Sequence, residues 1–396
     1  MSVQQSDLGT PSQAYLDMAA ELARRLAADA KERDRRGGAP LEQIGWLRES
    51  GLLTLSIPRI YGGEEQAWSV LLKIVRVLAR ADASIAHLYG FHCINLAAPR
   101  WKGTEEQAKT LLTESVRERW FWGNSVNYGD RRLTGRRDGK CWILNGLKGF
   151  SSGSPGSNRL VITWRDEETE ELLFGVIPTD KPGVTVHDDW DGIGQRQTGS
   201  GTVQFEHVVL KEDELLQSTE HSQSAFATLT SVLSKSVLTN VYVGIAEGAI
   251  AEACEYTQTK SRPWIASGVE KATDDPWIRR QYGELWTQTV AAASLADRAM
   301  EKLDVVWSRG HSLTFEERGE TAVLVGAANV FAGNSALEVT SRIFEVMGAR
   351  SATVTQGFDR FWRNVRTHTL HDPVEYKLRS VGHWLLNGEY PSPVYG

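Results

Sequence analysis

The chain has 396 residues, 41% of them hydrophobic and 24% charged, with a formal net charge of −6. This is the composition of an ordinary globular protein, longer than a single core usually supports, so two or three domains are expected. An acidic balance without a basic stripe excludes nucleic acid and an anionic membrane surface as partners.

The opening MSVQQSDLGT is polar and lacks the basic and apolar blocks of a secretory leader. Thr10-Pro11 then starts a helix, with proline where its missing N–H costs nothing, and Tyr15, Met18, Leu22 and Leu26 repeat at helical spacing. Further helical patterns cover 41-LEQIGWLRES-50, 68-WSVLLKIVRVLARAD-82, about 84–99 and 105–118. Runs such as 70-VLLKIVRVLA-79 carry charges and fall short of the ~20 residues of a membrane span. Cys93, Cys141 and Cys254 show no C-x-x-C spacing, so neither a disulfide framework nor a zinc knuckle is read; a cytoplasmic chain is expected.

From about residue 120 short β-branched and aromatic runs take over: 121-FWGNS-125, 141-CWILNGL-147, 160-LVITW-164, 172-LLFGVI-177, 183-GVTVH-187 and 202-TVQFEHVVL-210. Asp138-Gly139 is a hairpin turn signal, and close strands without intervening helices imply an antiparallel sheet or barrel. Long helices return over about 222–260, 276–309 and 315–347, the last with a capping box at Thr314/Glu317 and a stop at Gly348. The fold class is therefore α+β: a helical domain (1–119), a β domain (120–217) and a C-terminal helical bundle (218–396).

Several chemistries are excluded by their missing fingerprints. Gly192-Ile193-Gly194 meets Gln197 where a dinucleotide motif needs glycine, and neither a phosphate-binding P-loop nor a G-x-S-x-G elbow occurs. The segment 358-FDRFWRNVRTHTLHDPVEYK-377 places His368 and His371 directly before Asp372 and Pro373. Metal ligation, acid–base chemistry and a hydrogen-bonded structural pair would all use such residues. No second H-x-x-H or E-x-x-H supplies a facing ligand pair, so no metal site is assigned. His87, Phe91 and Asn95 recur at i, i+4 and i+8 and share one helix face, whereas His92 points elsewhere.

The helical–β–helical order, together with three motifs, resembles the acyl-CoA dehydrogenase superfamily. Lys148-Gly149-Phe150-Ser151-Ser152-Gly153 stands where that family has K-x-F-I-T-N-G against its flavin. The run 193-IGQRQTGSGTVQFEHVVL-210 resembles its LGxRxSxTxxVxFxxVxVP segment, and Glu345 to Arg350 occupies the place of Q-x-x-G-G-x-G. Within the superfamily, 86-AHLYGFH-92, 121-FWGNS-125, 188-DDWDGIGQRQTGSG-201, 241-VYVGIAEGA-249 and 358–377 resemble the bacterial dibenzothiophene monooxygenase family.

That resemblance implies reduced FMN from a separate NAD(P)H-dependent flavin reductase, O2 as co-substrate, and a flavin hydroperoxide that oxidises sulfur to sulfoxide and then sulfone. The alternatives are an FAD-dependent acyl-CoA dehydrogenase, an N- or C-oxidising monooxygenase of the same fold, or a flavin-binding protein without catalysis. A dehydrogenase needs a catalytic carboxylate, and the corresponding E-G-T segment is replaced here by T-H-T-L-H-D-P. An imidazole can donate a hydrogen bond near neutral pH, where a carboxylate mostly accepts. His371 is expected to stabilise the oxygen adduct and move its proton, with His368 orienting the segment and Pro373 ending the local helix. His87, Asn124 and Ser152 complete the catalytic set.

By the same resemblance, flavin contacts fall on Phe91, Asn124, Ser125, Lys148, Phe150, Ser151 and Ser152, and on Val126, Asn127 and Gly129 in a lid over 126–132. Phe91 stands where the family has tyrosine and brings no hydroxyl. Arg262 and Arg350 are expected on the flavin phosphate beside Ala349, with Lys260 able to replace Arg262; such contacts cross subunits and imply a homotetramer. Phe91, Trp122 and Trp190 are expected to wall a flat slot for a fused aromatic thiophene.

Overall fold

The computed structural model describes residues 11–216 and 224–393. The Thr10 cap, a helix start near 222 and the boundary at 217/218 lie outside the described residues. Six helices come first: α1 (Pro11–Ala27), α2 (Ala30–Arg36), α3 (Leu41–Glu49), α4 (Trp68–Ala81), α5 (Ala83–Lys102) and α6 (Glu105–Glu118). Seven strands follow: β1 (Trp122–Ser125), β2 (Thr134–Asp138), β3 (Cys141–Lys148), β4 (Arg159–Asp166), β5 (Leu172–Pro178), β6 (Val184–Val186) and β7 (Val203–Leu210). The remaining helices are α7 (Thr230–Thr259), α8 (Pro276–Ser308), α9 (Phe315–Met347), α10 (Asp359–His368) and α11 (Val374–Asn387).

The hairpin signal at Asp138-Gly139 is realised as a two-residue connection between β2 and β3, with Asp138 opposite Cys141 and Gly139 at φ +59°. Antiparallel pairing joins β2–β3–β7–β6 and β4–β5. Two short parallel pairings close the rest, because β1 runs along the first half of β4 and β2 meets its end. Those partners lie tens of residues apart in sequence, and no local turn announces them.

Helices α7 and α9 are apolar enough by length and composition to cross a membrane, yet most of each is buried inside the molecule. They pack against each other and α8, and α4 and α5 join the same core. Thr314 and Glu317 form the capping box of α9, and Gly348 ends it.

The elements that hold the site are locked by buried polar contacts. Asp82 caps α5 by accepting from the Ile85 N–H at 3.0 Å, and its other oxygen pairs with Arg33. Arg33 is 1% exposed and also donates to Gln197 Oε1 at 2.9 Å, which ties α2 and α5 to the connection between β6 and β7. His92 accepts the Trp122 N–H on Nδ1 at 3.0 Å, so its Nε2 carries the hydrogen donated to the Leu53 carbonyl at 2.8 Å. Burial pushes that imidazole down to about 4, so His92 is a neutral structural clamp, turned away from the His87 face.

Candidate active site

The 193–198 connection meets α10 at Gly194, where an added Cβ would lie 2.1 Å from the Arg363 carbonyl oxygen. The close approach lets the Gln195 N–H donate to Asn364 Oδ1 at 2.6 Å and its amide donate to the Asn364 carbonyl at 3.3 Å. Gln195 itself is 1% exposed and sits at φ +53°, a conformation that costs energy for a non-glycine residue. Gly194→Ala is expected to lower stability by about 1–3 kcal/mol, by the usual cost of overpacking, measured as a loss in the urea midpoint at constant slope.

Above this joint, α5 and α10 bring their rings together. His87 stacks on Phe91 at 4.3 Å between centroids and on His368 at 4.7 Å, with interplanar angles of 25° and 26°. His371 lies 6.4 Å from Phe91, tilted by 50°. Both ring nitrogens of His87 and Nδ1 of His368 are buried with no hydrogen-bond partner. Burial, then the proximity of His371, pushes His87 down to about 3; burial and both neighbouring imidazoles hold His368 well below its ordinary value. These two rings are therefore neutral at physiological pH, and their unpartnered nitrogens are polar atoms that no protein group satisfies.

A folded-state value of about 3 against 6.5 unfolded means that the unfolded chain binds the extra proton between those pH values. Stability is thus complete above pH 6.5 and is lost as pH falls toward 3. At pH 5 the His87 contribution amounts to about 2 kcal/mol. Urea denaturation at pH 7.5 and 5.0 should show that acid loss in the wild type and a correspondingly smaller one in His87→Leu.

His371 stands in the turn between α10 and α11. Its N–H donates to the His368 carbonyl at 3.0 Å, and its side chain is 44% exposed. Its Nδ1 lies 3.3 Å from Asp372 Oδ1. Burial raises the Asp372 carboxyl, but hydrogen bonding from His371 and the charges of Lys377 and Lys235 bring it down to about 2. Behind it lies a polar shelf: Lys377 Nζ donates to Asn329 Oδ1 at 2.8 Å, and burial pushes Lys235 down to about 8. Pro373 does not end the histidine helix. That helix stops at His368, and Pro373 instead precedes the first turn of α11.

The strand side supplies hydroxyls and rings. The Asn124 N–H donates to the Ser152 carbonyl at 3.2 Å, and the buried Asn124 side-chain amide has no hydrogen bond among the described residues. Ser152 Oγ lies 2.7 Å from Ser200 Oγ, which in turn donates to Thr198 Oγ1 at 2.7 Å. Phe150 is 66% exposed at φ +56° and meets Trp190 edge-on at 5.9 Å, while the Trp190 indole N–H donates to the Gln195 carbonyl at 2.8 Å. Thr198, Ser200, Gln195 and Asn364 are not singled out by the sequence, whereas Asp372 stands in the histidine segment that it marks. The position of Asn364 one helical turn before His368 was the available signal for one of them.

Other expected contacts are corrected. Trp122 does not wall the slot: its ring is 1% exposed in a core with Leu96 and Leu112, and its indole N–H donates to Ser115 Oγ at 2.9 Å. Ser125 and Ser151 are fully buried and bond to each other at 2.9 Å, which turns both hydroxyls inward. Lys148 is 1% exposed and donates to the carbonyls of Asn127 (2.9 Å) and Asp130 (2.7 Å). Asp130, held well below the usual carboxylate range chiefly by Arg132, also accepts the Gly149 N–H. The 126–132 segment is therefore tied down at its base, with Val126 packed on the core and Gly129 exposed at its tip.

Arg262, Arg350 and Ala349 are exposed and lie together, since Ser261 donates to the Met347 carbonyl at 2.8 Å. Lys260 is exposed too, its ammonium 5.6 Å from the Tyr256 ring centroid. The histidine turn meets α9 at Gly333, where a Cβ would touch Thr369. From there α9 runs on to Met347 by about 20 Å at 1.5 Å per residue, so one chain does not bring these arginines to the rings.

The chain matches the acyl-CoA dehydrogenase N-terminal domain over residues 11–119, the middle domain over 130–208 and the C-terminal domain over 236–376. It is 41% identical to the dibenzothiophene monooxygenase of Rhodococcus erythropolis, over 94% of this chain and 93% of the relative. The chain belongs to the acyl-CoA dehydrogenase superfamily. Another superfamily relative, a probable FMNH2-dependent monooxygenase, SfnC, of Pseudomonas putida, is 41% identical over 98% of both chains. Among solved superfamily structures, methanesulfinate monooxygenase MsuC of Pseudomonas fluorescens superposes with a TM-score of 0.94 at 41% identity, covering 98% of this chain and 100% of its own. TdsC of Paenibacillus sp. A11-2, solved with FMN and indole, superposes at 0.93 and 40% identity, covering 97% and 100%. In this superfamily setting, the rings and hydroxyls joining α5, α10 and the sheet occupy one junction of the three matched domains.

Proposed function

We propose that this chain is a two-component, FMN-dependent monooxygenase that oxidises the sulfur of dibenzothiophene-type heterocycles to sulfoxide and then sulfone. The observation that carries this reading is the stack of neutral imidazoles, His87 on His368, beside the half-exposed His371. A dehydrogenase of this superfamily needs a carboxylate basic enough to take an α-proton. Asp372, held at about 2 and engaged by His371, is too weak a base for that task. The similarity to SfnC, the dibenzothiophene monooxygenases and TdsC supports the same reading.

The residues present fit a flavin. Unpartnered nitrogens on His87 and His368, the free Asn124 amide and the Ser152 hydroxyl offer polar contacts beside flat walls from Phe91, Phe150 and Trp190. Reduced FMN, delivered by a separate NAD(P)H-dependent flavin reductase, supplies the two electrons with which O2 gives one atom to sulfur and one to water. His371 directs Nδ1 at Asp372 and uses Nε2 to hold and return a proton at the reacting oxygen. His87 and His368 keep the interior side dry and uncharged. The 126–132 segment, anchored at Lys148, covers the pocket with its tip. Phe91 packs on the substrate ring without donating a hydrogen bond.

A homotetramer in the cytoplasm is part of the proposal. Trp277, Trp286 and Val290 on α8 are exposed, as is the nearby apolar pair Trp264 and Ile265, and such surface calls for a partner. Assembly would let Arg262 and Arg350 of one subunit reach the flavin phosphate of another. The test is product analysis with dibenzothiophene, FMN, NADH and a flavin reductase, with methanesulfinate as a comparison substrate. Dibenzothiophene sulfone is expected; turnover of methanesulfinate alone would move the assignment to small sulfinates.

A further inference from the structure

We infer that Thr198 and Ser200 are positioning residues that fix the Ser152 hydroxyl as a hydrogen-bond acceptor, so the site prefers reduced flavin to oxidised flavin. The inference rests on the FMN reading above and concerns which redox form is retained.

A carbonyl oxygen only accepts, so Thr198 Oγ1, 2.9 Å from the Gln195 carbonyl, must place its hydrogen there. Reversing that hydrogen would set two oxygens lone pair to lone pair at the same distance. With its hydrogen committed, Thr198 Oγ1 accepts from Ser200 at 2.7 Å. Ser200 has then spent its single hydrogen, and the 2.7 Å contact with Ser152 requires Ser152 to donate. The outer face of Ser152 Oγ consequently presents lone pairs. Gln195 and Thr198 are each 1% exposed and Ser200 is 6% exposed, so bulk water does not reach in to reverse the chain.

A reduced isoalloxazine carries a hydrogen on N5 that the oxidised ring lacks. On the FMN reading, Ser152 belongs to the motif set against the flavin, and where its acceptor face meets N5 it would gain a hydrogen bond from the reduced form and meet a lone pair in the oxidised form. A protein fed by a separate reductase thereby takes up the competent form of the cofactor and releases the spent one, with no change of backbone.

Anaerobic potentiometry of FMN bound to the full-length protein tests this. Tenfold tighter binding of the reduced form raises the two-electron potential about 30 mV above that of free FMN. Thr198→Val keeps the side-chain volume and the backbone bond to Gln195 but frees the Ser152 hydrogen; it should remove most of that rise. Ser200→Ala should do the same if the valine variant fails to fold, and Thr198→Ser, which retains the hydroxyl, should preserve it. Wild-type potential in folded, FMN-binding Thr198→Val or Ser200→Ala would overturn the inference while leaving the monooxygenase reading standing. Absence of FMN binding to the wild type in either redox state would overturn both.

Discussion

His371→Ala is expected to bind reduced FMN within about threefold of the wild type and to lose sulfoxide formation by roughly 10²–10⁴-fold, the range for removal of a positioned acid–base group. The asymmetry follows from where the side chain sits. His371 is half-exposed in a turn, its backbone N–H is already committed to His368, and its ring borders Phe91 without supporting the core. Deleting it removes a proton-handling nitrogen and little packing. Asp372→Asn should give a smaller loss in the same direction, because the imidazole keeps a partner at Nδ1 but no longer a charged one. Stopped-flow titration for binding, paired with chromatography of the products, separates the two effects. Loss of binding with unimpaired turnover of whatever flavin remains would reassign His371 to cofactor retention.

Arg350→Ala is expected to show the opposite pattern: flavin affinity lower by about 2–3 kcal/mol, or ~30- to 150-fold, with near-normal turnover once FMN is saturating. Arg350 is exposed, no ion pair engages it among the described residues, and it stands about 20 Å along α9 from the histidine turn. In the proposed tetramer its effect is exerted on the flavin of a neighbouring subunit. Mixing Arg350→Ala with His371→Ala subunits should produce some sites lacking both defects, so activity at sub-saturating FMN should rise above that of either variant alone on subunit exchange. If affinity is unchanged in Arg350→Ala and falls in Lys260→Ala or Arg262→Ala, the phosphate contact belongs to the preceding loop. Elevated salt should weaken the wild type more than the variant, since the lost contact is ionic.

Much of the fold is legible because its determinants are local. The Asp138-Gly139 turn, the Thr314/Glu317 box and the His87/Phe91 face each depend on residues within a few positions. The site is legible where one helix face carries it. It fails where burial is decided by distant chain. Lys148 sits beside the flavin-edge motif in sequence, but two carbonyls some twenty residues earlier claim its ammonium. Trp122 looks like a slot wall until Ser115, Leu96 and Leu112, on the preceding helices α5 and α6, draw it into the core. The hydroxyl line from Ser152 through Ser200 to Thr198 joins two loops almost fifty residues apart, so spacing rules carry no sign of it.

The most direct test of the central claim is a single turnover. The protein is loaded anaerobically with one equivalent of reduced FMN and with dibenzothiophene, mixed with ¹⁸O2, and the products are weighed by mass spectrometry. The account predicts dibenzothiophene sulfoxide carrying one ¹⁸O per flavin oxidised, with no bleaching of bound flavin by any acyl-CoA in a parallel cuvette. Unlabelled dibenzothiophene together with stoichiometric hydrogen peroxide, or flavin bleached by an acyl-CoA, would contradict it.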